Sequence, residues 1–372
     1  MPDPLERIGR LPSVRQLPDL LSAKGKVNIV GAAGSGPALI AARLMGVVRT
    51  AALIVCPGAE EAEEFAEDLN LFQPGLACYF PALEVLPGDV EEPSEAILRA
   101  RLNVLRFLAF GETEEVSADA TDFVYLEPRP QTRVVVTSVM ALLQPTRSAG
   151  ELREGSHPVR LGAAETPGQL VEWLVDNAYV SVPQVRTPGQ YCLRGGILDV
   201  YSHGALEPVR IEFFGDEVDS LRTFNPETQL SIGRIERCQL TVSEHPPGAG
   251  EGPTGDILSY FGPDCPLLLL EPDRLRNRAR VVKEQSEQAH LLMDPTILEG
   301  HGDQRPRVLF GDEERPADLE VPLRRQDTFG PDLDSMLPEL KRICDRHDET
   351  VVYCIGPAEA DRFRNLLKDR GF

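Results

Sequence analysis

Two groups of residues in this chain have types and spacing that chemistry could use. The first is Gly31-Ala32-Ala33-Gly34-Ser35-Gly36-Pro37-Ala38. It follows the apolar run Val27-Asn28-Ile29-Val30 and precedes an apolar helical stretch through Met45. Strand, glycine loop and helix form the context of a P-loop, whose backbone N–H groups cradle phosphates. A working loop continues with Lys, which neutralises the β- and γ-phosphates, and then Ser or Thr, which ligates magnesium. Pro37 and Ala38 stand at those two positions, and proline also removes a backbone donor. The expectation is a loop that neither hydrolyses nor binds ATP. The plainer reading of Gly31, Gly34 and Gly36 is a glycine turn that opens a helix.

The second group lies in residues 190–230. Ile197–Tyr201 and Val209–Phe214 are strand-like runs with Gly204 and Pro208 in the turn between them. Alternation of charge and bulk in Val209-Arg210-Ile211-Glu212-Phe213-Phe214 fits a half-buried strand. A third run, Val218 to Phe224, follows the Gly215-Asp216 turn signal. The result is an antiparallel meander whose exposed face carries Arg194, Arg210 and Glu212. Guanidinium groups there offer paired donors to carboxylates. Spacing alone leaves another reading open, in which the arginines pair internally with Glu212, Asp216 or Glu217 and Phe214 is core.

Other chemistry is not signalled. There is no HExxH and no visible nucleophile–base pair, and Asp264, Cys265 and His203 read as ordinary loop residues. The seven cysteines are scattered without a CxxC pair, which suggests reduced thiols in a cytoplasm and no structural zinc. No apolar run approaches the roughly 20 residues of a membrane helix, and the first residues lack the apolar core of a secretory signal. Acidic residues outnumber basic ones 59 to 38, for a net charge of −21. Proteins that grip DNA usually show a basic face. Partners with basic protein surfaces fit this balance better.

Strands and helices alternate through the first part of the chain, which argues a parallel sheet covered by helices. Ala51–Cys56, Cys78–Phe80 and Val134–Thr137 read as strands. Ala59–Phe72 reads as an acidic helix, and Ser94 and Ser138 read as helix caps. The polar, acidic stretch 111–131 reads as a solvated insertion. Pro167 to Ala178 is a helix whose Trp173 packs in a core. Pro246 to Gly255 is a linker. Leu267–Leu270 is a buried strand followed by Glu271-Pro272-Asp273, a relic or a coincidence of the acid that closes a nucleotide site. Val308–Phe310 reads as one more strand, and the rest of residues 301–322 as charged and irregular. A new α/β unit then starts, with a helix to His347, a strand at Val351–Ile355 and a helix from Pro357. The expected division is an N-terminal segment 1–23, a first sheet-domain part 24–144, an inserted domain 145–245, a second sheet-domain part 246–310, a linker 311–330 and a further unit 331–372, cut short as in a piece of something longer.

The strings RGGILDVY, PVRIEFFGDEVDSLR and F-x-PETQ closely resemble one family, the UvrB-homology module of bacterial transcription-repair coupling factors; UvrB shares the outline. The resemblance implies an α/β fold: a degenerate RecA-like, UvrB-like parallel sheet with an inserted small α+β domain, followed by the start of a further α/β domain. It implies that the inserted domain recruits UvrA through Arg194, Arg210 and Phe214, with Glu212 and Arg186 as weaker candidates. Cys192 and Gln190-Tyr191 depart from the family's common residues but leave those three untouched. The glycine loop is degenerate in coupling factors and intact in UvrB, and UvrB's tyrosine-rich DNA-clamping hairpin has no counterpart in Pro81–Pro93. Both points favour the coupling factor. In that family the whole protein displaces stalled RNA polymerase by ATP-driven translocation on duplex DNA. ATP and magnesium belong to its motor, and polymerase and DNA are contacted by parts outside this sequence. The family also masks its UvrA contact with a distal domain. The alternatives are a UvrB-type ATP-dependent helicase fragment and a stand-alone DNA-binding module.

Overall fold

The computed structural model describes residues 4–87, 89, 93–111, 128–243, 255–300, 304–324, 333–354 and 357–370. Helices α1 (Pro4–Ile8) and α2 (Pro12–Lys24) open the chain. Val14, Leu17 and Leu21 recur at helical spacing and are buried, so the N-terminal segment contributes to the main core. Strands and helices then alternate: β1 (Lys26–Ala32), α3 (Gly36–Val47), β2 (Ala52–Cys56), α4 (Ala59–Phe72), β3 (Ala77–Phe80), α5 (Glu95–Phe110), β4 (Val134–Ser138) and α6 (Val139–Leu143). The two expected serine caps form. Ser94 Oγ accepts from the Ile97 N–H of α5, and Ser138 Oγ accepts from the Ala141 N–H of α6.

The inserted part follows: α7 (Ala149–Glu154), β5 (Ser156–Arg160), α8 (Pro167–Asp176), β6 (Val180–Ser181), β7 (Gln190–Arg194), β8 (Ile197–Tyr201), β9 (Val209–Phe214), β10 (Glu217–Phe224), β11 (Ser231–Arg234) and β12 (Arg237–Thr241). The chain returns through β13 (Leu267–Leu270), α9 (Pro272–Gln285), β14 (Arg307–Phe310) and β15 (Leu319–Leu323). Helices α10 (Leu333–Arg346) and α11 (Pro357–Asp369) come last.

Seven strands form one sheet in the order β15-β1-β14-β13-β2-β4-β3, and every pair in it is parallel. The inner strands β2 and β4 are buried along their whole length, as a sheet covered on both faces requires. One face packs on α1 to α4 and the other on α5, α6 and α9, with a separate apolar cluster in each layer. A second, six-stranded sheet runs β11-β10-β9-β8-β7-β6 and is antiparallel except for the short β6–β7 pair. The fold is therefore α/β, a large parallel sheet with a small antiparallel domain inserted in it, consistent with a RecA-like fold.

The insertion leaves and re-enters at adjacent points. Thr146 and Gly255 form an isolated antiparallel bridge, with the Thr146 N–H donating to the Gly255 carbonyl at 2.9 Å. A Cβ at 255 would meet the Ser148 backbone nitrogen at 2.6 Å, so only glycine fits this crossing. The small domain seats on α5. Gly204 lies against Leu102, and Arg106 donates to the Gln239 carbonyl. Tyr179 Oη, reaching across from the end of α8, donates to the Thr241 carbonyl at 2.7 Å.

Two element readings change. Leu319–Leu323, within the stretch read as irregular charged chain and linker, is a strand, β15, paired with β1 at the edge of the large sheet. Its sequence, Leu-Glu-Val-Pro-Leu, buries alternate residues and tolerates Pro322 because an edge strand leaves one side of its backbone unpaired. Residues 351–354, read as a strand, have no regular secondary structure, and Val351 and Val352 are exposed. No neighbouring strand lies beside them among the described residues, and an apolar run needs one to become a strand. The acidic stretch, at 112–127, and most of the linker, at 244–254, lie outside the described residues, as do 88 and 90–92 of the loop before α5.

Candidate functional site

The glycine loop joins β1 to α3 where the sequence placed it. Gly31 has φ +79° and Gly34 has φ +61°, both in the left-handed region. The middle of the loop, Ala33 to Ser35, is exposed, and the chain's own strand β15 lies against its two ends. β15 runs beside β1, with a register irregularity at Gly31. A Cβ at 31 would lie 2.8 Å from the Val321 carbonyl oxygen, and one at Gly36 would lie 2.9 Å from Leu323 Cδ1. Pro37 sits in the first turn of α3 and Ala38 is fully buried in the apolar layer. A side-chain hydrogen bond links Ser35 to Asp68 of α4. Burial pushes the Asp68 carboxyl upward despite that bond, with Glu64 and Glu67 adding to the effect.

The acid after β13 is also engaged. Glu271 has φ +47°, and Arg274 bridges it to Glu61 at 2.5 and 2.7 Å. Asp273 pairs with Arg276 and accepts from the Glu313 N–H. Among the described residues no group of three or more His, Cys, Asp or Glu side chains is placed to hold a metal.

The small sheet has two faces. Val200, Val209, Ile211, Val218 and Leu221 point to α8 and pack with Leu170 and Leu174. The opposite face follows from the register. One row runs Arg194, Ile197, Glu212, Ser220. The next runs Cys192, Asp199, Arg210, Arg222, Arg234. Directly opposed residues in a ladder share a face. The sequence-predicted residues Arg194, Arg210 and Glu212 are therefore brought together, and Phe214 stands at the end of β9 on the same side.

Their environments differ. Phe214 is 82% exposed, which removes the reading of it as core. Arg194 is exposed and donates to the Pro183 carbonyl. Arg210 is half-buried. Its Nε and Nη2 donate to the two carboxylate oxygens of Asp199 at 2.7 and 3.0 Å, and its guanidinium lies 4.8 Å from the centre of the buried Phe224 ring. The hydrogen bonds to Asp199 raise the Arg210 pKa further. Glu212 pairs with Arg222 at 3.2 Å. Internal pairing thus exists, but through partners that the sequence reading missed: Asp199 for Arg210, and Arg222 for Glu212. The signal was available, because Asp199 is in phase with Ile197 and Tyr201 along β8. Arg186 is exposed, bonded to Gln184 and 4.0 Å from Glu227.

His203 is not an isolated loop residue. Its ring packs edge-on against Tyr179 with centroids 5.0 Å apart, and desolvation, with Arg147 adding to it, pulls its pKa down to about 4.

Comparison with known proteins agrees with this geometry. Residues 158–245 match the family model of the UvrB interaction domain, which spans β6 to β12 and so the whole six-stranded sheet. The transcription-repair-coupling factor of Myxococcus xanthus is 31% identical over 232 residues, 60% of this chain and 18% of that protein. That of Mycobacterium tuberculosis is 33% identical over 186 residues, 50% of this chain and 14% of that protein. The Escherichia coli protein is 26% identical over 188 residues, again 50% of this chain and 15% of its own length. The chain spans less than a fifth of these relatives. The resemblance read from the three sequence strings stands: over half or more of its length this chain is similar to transcription-repair-coupling factors, and its inserted domain matches the UvrB interaction domain.

Proposed function

We propose that this chain is the UvrA-recruiting part of a transcription-coupled nucleotide excision repair factor, acting through the open face of the β7–β10 sheet. The observation that carries the reading is Phe214, a large apolar side chain left 82% exposed at the end of β9 with Arg194 and Arg210 on the same face. A phenylalanine in water forgoes roughly 2 kcal/mol of burial, which a docking partner recovers. Aromatic and arginine side chains are the residues most often found to carry interface energy. Asp199 and the Phe224 ring hold the Arg210 guanidinium in one orientation, so less freedom is lost on docking.

The chain itself is proposed to be non-catalytic. Proline and alanine where the loop needs lysine and a hydroxyl, and Val321 and Leu323 against the glycines, support a loop that holds no ATP. Displacement of RNA polymerase by ATP-driven movement on DNA belongs, in this proposal, to other parts of the full-length factor, in the cytoplasm. Among the described residues no helix is long and apolar enough to cross a membrane.

The test is site-specific photo-crosslinking. A photoreactive residue at 214 is expected to capture purified UvrA, whereas one at the exposed Val47 on α3 is not. Equal capture at both positions, or capture at neither, would remove the proposal.

A further inference from the structure

The face described above does not end at Arg210. In register, Arg210 of β9 stands opposite Arg222 of β10, which stands opposite Arg234 of β11. Three guanidinium side chains therefore line up across three adjacent strands, in a chain of net charge −21. Like charges directly opposed across a ladder are destabilising. Two of the three are relieved within the fold, Arg210 by Asp199 and Arg222 by Glu212. Arg234 is exposed on the edge strand, and among the described residues no carboxylate lies within ion-pair distance of it. The ladder thus ends, at the sheet edge, in an exposed cation.

We infer that the docking face extends across β10 onto β11 and that Arg234 is a partner-binding residue, taking a carboxylate of the protein docked there. This rests on the recruitment reading and adds to it the chemistry of the partner: an apolar socket for Phe214 bordered by acidic side chains facing the arginine row. A protein fits better than a nucleic acid. Glu212 sits inside the patch, and Asp216, Glu217 and Asp219 crowd the β9–β10 turn beside Phe214, where they would repel phosphates. A charge on an edge strand also guards against edge-to-edge association, which is the competing explanation of Arg234.

The experiment is binding of the full chain to purified UvrA by calorimetry, for wild type, Phe214→Ala, Arg234→Ala, Arg234→Lys and Arg234→Glu, with thermal melts alongside. Arg234→Ala is expected to weaken binding about fivefold and Arg234→Glu more than about twentyfold, with Arg234→Lys between wild type and alanine because it keeps the charge and loses the fork. The melting temperature of Arg234→Ala is expected to equal or exceed wild type, since the ladder loses a like charge. If wild type binds, Phe214→Ala loses binding and Arg234→Glu binds as wild type, this inference fails while the recruitment reading stands. Aggregation of Arg234→Ala with unchanged binding would assign the residue to edge protection and overturn the inference. The same proteins are titrated with a fluorescent DNA duplex. Loss of DNA binding in Arg234→Glu with UvrA binding intact would overturn it in favour of a nucleic acid. If wild type does not bind UvrA, the recruitment reading falls and this inference falls with it.

Discussion

The glycine loop of the large sheet and the outer face of the small sheet are opposites. The loop has the architecture of a ligand site without its chemistry: parallel strand, left-handed glycines and helix, but a proline and a buried alanine at the positions that matter, and the molecule's own strand β15 laid against it. The outer face has side chains suited to docking on an open sheet. It carries an exposed phenylalanine and four arginines across adjacent strands. A proline and a buried alanine stand where a nucleotide loop would need a lysine and a hydroxyl, while the outer face of the small sheet leaves a phenylalanine in solvent. Glycines in the first region are kept by close contact, and side chains in the second are kept oriented by ion pairs.

The largest expected effect tests the glycine loop. Gly31→Ala puts a Cβ 2.8 Å from the Val321 carbonyl in a left-handed conformation. It is expected to cost about 3 kcal/mol of stability, read from urea unfolding. A cost near zero would mean that β15 does not hold the loop. Next comes the seam where the small domain meets α5. The folded His203 pKa is lowered from 6.5 to about 4, so the unfolded chain takes up a proton first as pH falls. Stability is therefore full above about pH 6.5 and lost progressively towards pH 4, by roughly 2–3 kcal/mol from this group. His203→Gln is expected to flatten that dependence, and an unchanged slope in urea midpoints between pH 7.5 and 4.5 would contradict it. Asp199→Ala is expected to cost about 2 kcal/mol and to weaken UvrA binding, because it leaves a half-buried guanidinium without its carboxylate. The smallest effect is the most pointed. Restoring Lys at 37 and Ser at 38 together is expected to produce no measurable ATP binding, because residue 38 faces the apolar layer. Millimolar or tighter binding of a nucleotide to that variant would erase the contrast between the two regions.

Much of the fold was legible in the sequence. The limits of α4 and β13 were read to the residue, and the meander strands and the two serine caps were found where the pattern placed them. These are elements whose local pattern and tertiary role agree. β15 was hidden because an edge strand with a proline and a glutamate looks like a loop until β1 supplies its register. Residues 351–354 misled for the converse reason, as apolar character without a neighbour to pair with. Arg194, Arg210, Glu212 and Phe214 could be named from the strings they occupy. Asp199, Arg222 and Arg234 could not be tied to them, because the contacts that join them run across strands and depend on register.

The most direct test of the account is the affinity of purified UvrA for this chain beside its Phe214→Ala variant, with melting temperatures measured on the same samples. A docking face centred on Phe214 predicts binding by wild type, a loss of about 2 kcal/mol or more in the variant and no fall in melting temperature, since Phe214 is exposed. Equal affinity for the two proteins would contradict it, and so would a fall in melting temperature large enough to account for the lost binding.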